Sequence, residues 1–138
     1  MRFWDSSALV PLVLAQPRSA DARSALAKDS ELVVWWSSAI ECASAVARLH
    51  RDGHLSDKQE HAARDLLAVL RQSWFEIQPG EGVRVQALRL LRFHPLRAAD
   101  ALQLAAALEW SGSQATGVFM SFDERLRSAA MREGFTAP

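Results

Sequence analysis

Short strand-like runs alternate with helical stretches along this chain, and that order leaves few folds open. Arg2–Asp5, Leu32–Trp36, Trp74–Gln78 and Gly117–Phe122 read as strands. Leu32-Val33-Val34-Trp35-Trp36 is apolar throughout, the pattern of a strand covered on both faces. Between these runs lie the helical stretches Ser7–Ala15, with Pro11 as a break, Arg18–Lys28 and Ser38–Arg51. Ser56 caps a long helix reaching Ser73, with Gln59 in the capping-box position. Val83–Phe93, Leu96–Trp110 and Asp123–Arg132 complete the helices, and Phe135 begins a fifth short strand. Gly53, Pro79-Gly80, His94-Pro95, Gly112 and Gly134 punctuate them. The order predicts a three-layer α/β/α sandwich around a central parallel sheet of four to five strands. At 138 residues the chain is expected to form a single domain over 1–138.

Four acidic residues stand just after an apolar run or a turn beyond one: Asp5, Glu41, Asp100 and Asp123. A carboxylate in an apolar setting is costly unless something neutralises it. Each has a local explanation. Asp5 can cap the helix that follows it, and Asp123 can cap the last helix. Asp100 suits the start of a helix dipole. Ser38-Ala39-Ile40-Glu41 reads as a complete capping box, with Glu41 reaching back to the Ser38 amide. Parallel sheets, however, place ligands beyond the carboxyl ends of their strands. Under this architecture all four acids can reach one sheet edge. Clustered carboxylates repel and raise one another's pKa, and a hard divalent cation is their cheapest neutraliser. Oxygen-only ligands suit Mg²⁺ or Mn²⁺ rather than zinc. The chemistry that follows is phosphodiester hydrolysis by activated water.

Formal net charge is zero, so nothing global announces a nucleic-acid partner. Lys28 and Lys58 are the only lysines; every other basic residue is arginine, which suits bidentate phosphate contacts and is also what a GC-rich genome produces. Arg97 and Arg125, near the acids in sequence, are the candidate phosphate contacts. One cysteine, Cys42, excludes an intramolecular disulfide and a cysteine-based zinc site. His50 and His54 are four apart, but Gly53 interrupts any shared helix face. Gly80-Glu81-Gly82 lacks the lysine and length of a phosphate-binding loop. Trp35 and Trp36 are expected to pack under helices, and Trp74 and Trp110 to serve as core or dimer anchors. Asp5 and Pro11 spoil a signal-peptide pattern near the start, and no run is long enough to span a membrane. A cytoplasmic location is expected.

Four segments, in order, resemble the PIN domain, and within it the VapC-type toxins of bacterial toxin–antitoxin pairs. They are Phe3-Trp4-Asp5-Ser6-Ser7-Ala8-Leu9-Val10, Ser37-Ser38-Ala39-Ile40-Glu41, Leu96-Arg97-Ala98-Ala99-Asp100-Ala101-Leu102-Gln103, and Ser121-Phe122-Asp123-Glu124-Arg125-Leu126. The resemblance covers nearly the whole chain. It implies an acidic Mg²⁺/Mn²⁺ pocket formed by Asp5, Glu41, Asp100 and Asp123, with Ser6 and Ser121 in support. Asp5 and Asp100 would hold the principal metal. Glu41 and Asp123 would hold a second metal or orient water. It further implies a homodimer and a cognate antitoxin. One position departs: related sequences often carry histidine where this chain has Gln103.

The reading is a metal-dependent endoribonuclease acting as such a toxin. Its rival is a non-catalytic module of the same fold that grips RNA or a protein partner. A phosphatase with an aspartyl nucleophile is disfavoured, because its second acid would fall where this chain has Ser7.

Overall fold

The computed structural model describes residues 1–112 and 114–138. The chain forms β1 (Arg2–Trp4), α1 (Ser6–Val13), α2 (Ser19–Lys28), β2 (Leu32–Trp35), α3 (Ser38–Arg51), α4 (Asp57–Arg71), β3 (Phe75–Ile77), α5 (Glu81–Phe93), α6 (Ala98–Ser111), β4 (Phe119–Met120) and α7 (Glu124–Glu133). The strands make one sheet in the order β3-β2-β1-β4. Every pairing in it is parallel, with Phe3 opposite both Val33 and Phe119. Val118 and Thr136 add one further parallel bridge, so the expected fifth strand is a single pair.

Side chains alternate along each strand and divide the core in two. Phe3, Val33, Trp35 and Phe119 face α5, α6 and α7, where Val83, Leu90, Leu104 and Leu126 meet them. Trp4, Leu32, Val34 and Met120 face α1 to α4, against Leu9, Ala22, Val46 and Leu67. Phe3 and Phe119 stack with ring centroids 5.4 Å apart, binding the two central strands across one face. This is the expected three-layer sandwich. No helix among the described residues is long and apolar enough to cross a membrane.

The element boundaries differ from the sequence reading at instructive places. Pro11 does not break α1: it sits buried in the second turn, and the helix ends two residues later. It forfeits one helical hydrogen bond, a cost that a short, fully packed helix absorbs. Gly117–Phe122 yields only the two-residue β4, because Ser7 captures the strand's next free amide, with Phe122 N–H donating to Ser7 Oγ at 2.8 Å. The Ser56–Gln59 capping box is present in both directions. Gly134 ends α7 with φ at +110°, a backbone that L side chains rarely adopt. That turn lets Phe135 N–H bond back to Ala130 and sinks the Phe135 ring into the core. Trp36 corrects an expectation: it lies just beyond β2, is 45% exposed, and is not a core residue. Trp35 and Trp74 are buried as expected.

Candidate active site

Asp5 follows β1 directly and is the N-cap of α1, accepting from the Ser7 amide. Its second oxygen accepts from Ser7 Oγ at 2.9 Å. The side chain is only 2% exposed. Burial pushes the Asp5 carboxyl up to about 6, although the Ser121 hydroxyl and the Ser7 amide and hydroxyl pull it down; the Glu41 charge adds to the rise.

Glu41 corrects the sequence reading most clearly. The capping box expected over Ser38–Glu41 is not formed. The N-cap of α3 is Ser37, which makes no side-chain capping bond, and Ser38 is buried inside the first turn. Glu41 instead turns toward Asp5. Its Oε2 accepts from Ser6 Oγ at 2.7 Å, and Ser6 Oγ lies 3.5 Å from Asp5 Oδ1. Its Oε1 accepts from Ser37 Oγ at 2.7 Å and from Gln103 Nε2 at 3.1 Å. Capping chemistry was satisfiable on paper, but hydroxyl donors on α1 and α3 and the Gln103 amide outbid one backbone amide.

Asp100 lies in the first turn of α6. Burial raises its carboxyl, and the charges of Asp123 and Glu41 raise it further, against the Arg97 amide and guanidinium. Asp123 caps α7 through the Leu126 amide at 2.8 Å. Its own amide donates to Ser121 Oγ at 3.1 Å. Asp5 thus feels the Glu41 charge, and Asp100 feels those of Asp123 and Glu41. The structure does not draw the four acids into a cage: among the described residues, no three His, Cys, Asp or Glu side chains converge closely enough to share a metal ion. Asp5, Glu41 and Asp123 are each held by hydroxyl and amide donors instead.

None of the four acids makes an ion pair among the described residues. A buried carboxylate with acidic neighbours and no basic partner is the electrostatic setting that a divalent cation relieves. The donors fit a hard cation, since all are carboxylate or hydroxyl oxygens. Cys42 is adjacent in sequence, but burial first, then the Glu41 and Asp5 charges, push its thiol up to about 12. It stays a neutral thiol rather than a thiolate ligand.

Two open grooves meet the acids. The larger, about 910 Å³, holds Asp100 and Asp123 together with Arg97, Arg125, Ser128 and Arg132. Arg97, Arg125 and Arg132 make no ion pair among the described residues, while Arg89 is engaged by Glu133 and Gln86. The smaller, about 630 Å³, exposes Ser6, Ser7 and Glu41 beside Arg48. His50 meets Asp57 at 2.7 Å and shares nothing with His54.

Sequence reasoning passed over four contributors. Ser7 bonds Asp5 and stops β4. Ser37 and Gln103 hold Glu41. Arg132 shares the groove face of α7 with Arg125, a heptad away. Gln103 carried a readable signal, because it stands three residues after Asp100 on one helix face.

A PIN domain family model matches residues 2–131. Among solved structures, the chain resembles the Mycobacterium tuberculosis toxin VapC20, described as cleaving the sarcin–ricin loop, with a TM-score of 0.70 at 20% identity, covering 99% of this chain and 97% of that one. FitAcB from Neisseria gonorrhoeae gives a TM-score of 0.69 at 15% identity, covering 99% and 96%. FitAB bound to a DNA fragment gives 0.69 at 13%, covering 100% and 94%. Identities this low carry the fold and nothing more. A search of curated protein sequences finds no significant match. With the family match spanning almost its whole length, this chain belongs to the PIN domain family.

Proposed function

We propose that this protein is a Mg²⁺- or Mn²⁺-dependent endoribonuclease, the toxin of a toxin–antitoxin pair. The observation that carries the proposal is the buried Asp5 carboxylate repelled by Glu41, and Asp100 repelled by Asp123 and Glu41, none of the four in an ion pair among the described residues, with Arg97, Arg125 and Arg132 lining the adjoining groove. Asp5 and Asp100 would hold the principal cation, with Glu41 and Asp123 completing the set. When bound, such a cation polarises the phosphoryl oxygen and makes water a better nucleophile. The chain's own groups do the rest. Ser6, Ser7 and Ser121 keep the Asp5–Glu41 pair oriented. Arg97, Arg125 and Arg132 steer and hold the phosphates of an unpaired strand. The likeness to VapC20, a toxin described as cleaving the sarcin–ricin loop, supports this role. It includes a cytoplasmic location, a homodimer and an antitoxin partner. Exposed Val85, Leu88 and Phe93 on α5 offer apolar surface for such contacts.

The test is cleavage of diverse RNA by the purified protein with and without Mg²⁺ or Mn²⁺. Wild type is expected to cut only with the metal. Asp100→Asn is expected to lose more than about a hundredfold in rate, beyond the effect of removing an outer-shell partner. If wild type stays inert on every RNA, the non-catalytic module is the better reading. Binding of single-stranded RNA supplies a second check. Each of Arg97→Ala, Arg125→Ala and Arg132→Ala should lower the slope of log affinity against log salt by about 0.7. An unchanged slope in all three would remove the groove from the RNA path.

A further inference from the structure

Both oxygens of Glu41 are claimed by side chains from outside its own helix, Ser6 and Gln103. Oε1 accepts two hydrogen bonds, from Ser37 Oγ at 2.7 Å and Gln103 Nε2 at 3.1 Å. Oε2 accepts one, from Ser6 Oγ at 2.7 Å. Each carboxylate oxygen offers two in-plane lone-pair sites. Oε1 is therefore filled, and Oε2 retains one site. Gln103 is 1% exposed, and its amide is fully committed, with Nε2 also donating to Ser38 Oγ at 3.2 Å. Its orientation is fixed by chemistry: a flipped amide would set its carbonyl against the Glu41 carboxylate.

We infer that Gln103 is a positioning residue for Glu41: with Ser37 it occupies Oε1 and leaves Glu41 to meet a cation or a water through one lone pair of Oε2. The inference rests on the divalent-cation reading above. Gln103 lies one helical turn beyond Asp100 on α6, so the same rigid helix that carries one acid aims another. Ser6 extends the constraint to Asp5, because its hydroxyl stands between the two carboxylates. An amide nitrogen supplies two donors, and both are used here.

The test combines Mn²⁺ binding, followed by the electron paramagnetic resonance of the free ion, with steady-state RNA cleavage. Gln103→Leu keeps the buried volume but removes both donors. It should weaken Mn²⁺ binding and lower kcat by about ten- to a hundredfold, with KM little changed. Gln103→His restores one donor and should recover part of both losses. The decisive arm is the double variant. In a Glu41→Gln background, Gln103→Leu should cost nothing further, because the carboxylate it aims is gone. Equal losses in both backgrounds would mean that Gln103 only supports the fold, and the inference fails. Wild-type-like binding and kcat in Gln103→Leu would overturn it too. If wild type itself binds no Mn²⁺, the cation reading fails instead.

Discussion

Asp5→Asn is expected to abolish RNA cleavage and yet make the protein harder to unfold at pH 7. Asp5 is buried, and its carboxyl is raised from 3.8 to about 6. The folded state therefore holds that proton more tightly than the unfolded chain does. Below about pH 4 both states are protonated, and the group costs nothing. Between about 4 and 6 the unfolded chain ionises first, so stability falls as pH rises. Above 6 the full penalty is present, roughly 2–3 kcal/mol at about 1.4 kcal/mol per pKa unit. Asparagine removes the charge and still caps α1, since it caps as well as aspartate. Urea unfolding in EDTA should therefore show the variant matching wild type near pH 4 and exceeding it by about 2 kcal/mol at pH 7. A variant less stable than wild type at pH 7 would show that the ionised carboxylate serves the fold rather than a bound ligand.

Glu133 should behave in the opposite sense. Glu133→Ala is expected to cost about 2–3 kcal/mol at pH 7, because it strands a cation beside a largely buried side chain. Arg89 reaches the Glu133 carboxylate through both terminal nitrogens, at 2.6 and 3.3 Å, and His94 Nε2 meets it at 2.6 Å. This tie joins the end of α5 to the end of α7. Burial pushes the Glu133 carboxyl up, but Arg89 and His94 outweigh it and hold the group below its usual 4.5. A depressed carboxyl contributes stability above pH 4.5 that is lost as pH falls through its folded value. Denaturant midpoints of wild type and Glu133→Ala should thus converge in acid and separate toward neutrality. A loss below about 0.5 kcal/mol at pH 7 would reduce the cluster to an ordinary surface pair.

The sequence made the layers legible because strand burial has a simple signature. Phe3 and Trp4, or Val33 and Val34, are adjacent apolar residues that must face opposite helices. The acids can be proposed as a set from sequence because Asp5 and Asp123 follow strands and Glu41 and Asp100 open helices. Side-chain partnerships were not legible. Ser38–Glu41 satisfies every local rule for a capping box, yet Glu41 is held by Ser6 and Gln103, which are distant in the chain. Local pattern cannot see donors supplied by tertiary structure. Trp36 was misjudged for a related reason: alternation gives its direction, but not that β2 ends one residue before it. Ser7 ends β4 through a bond spanning most of the chain, from which no window of sequence could set that strand's length.

Asp5, Glu41, Asp100 and Asp123 either share a divalent ion or merely neighbour one another. Anomalous diffraction from a crystal soaked in Mn²⁺ at neutral pH distinguishes these outcomes. The account predicts a manganese peak bounded by oxygens of Asp5 and Asp100, absent from Asp100→Asn crystals treated alike. Ordered side chains with no peak between them would contradict it.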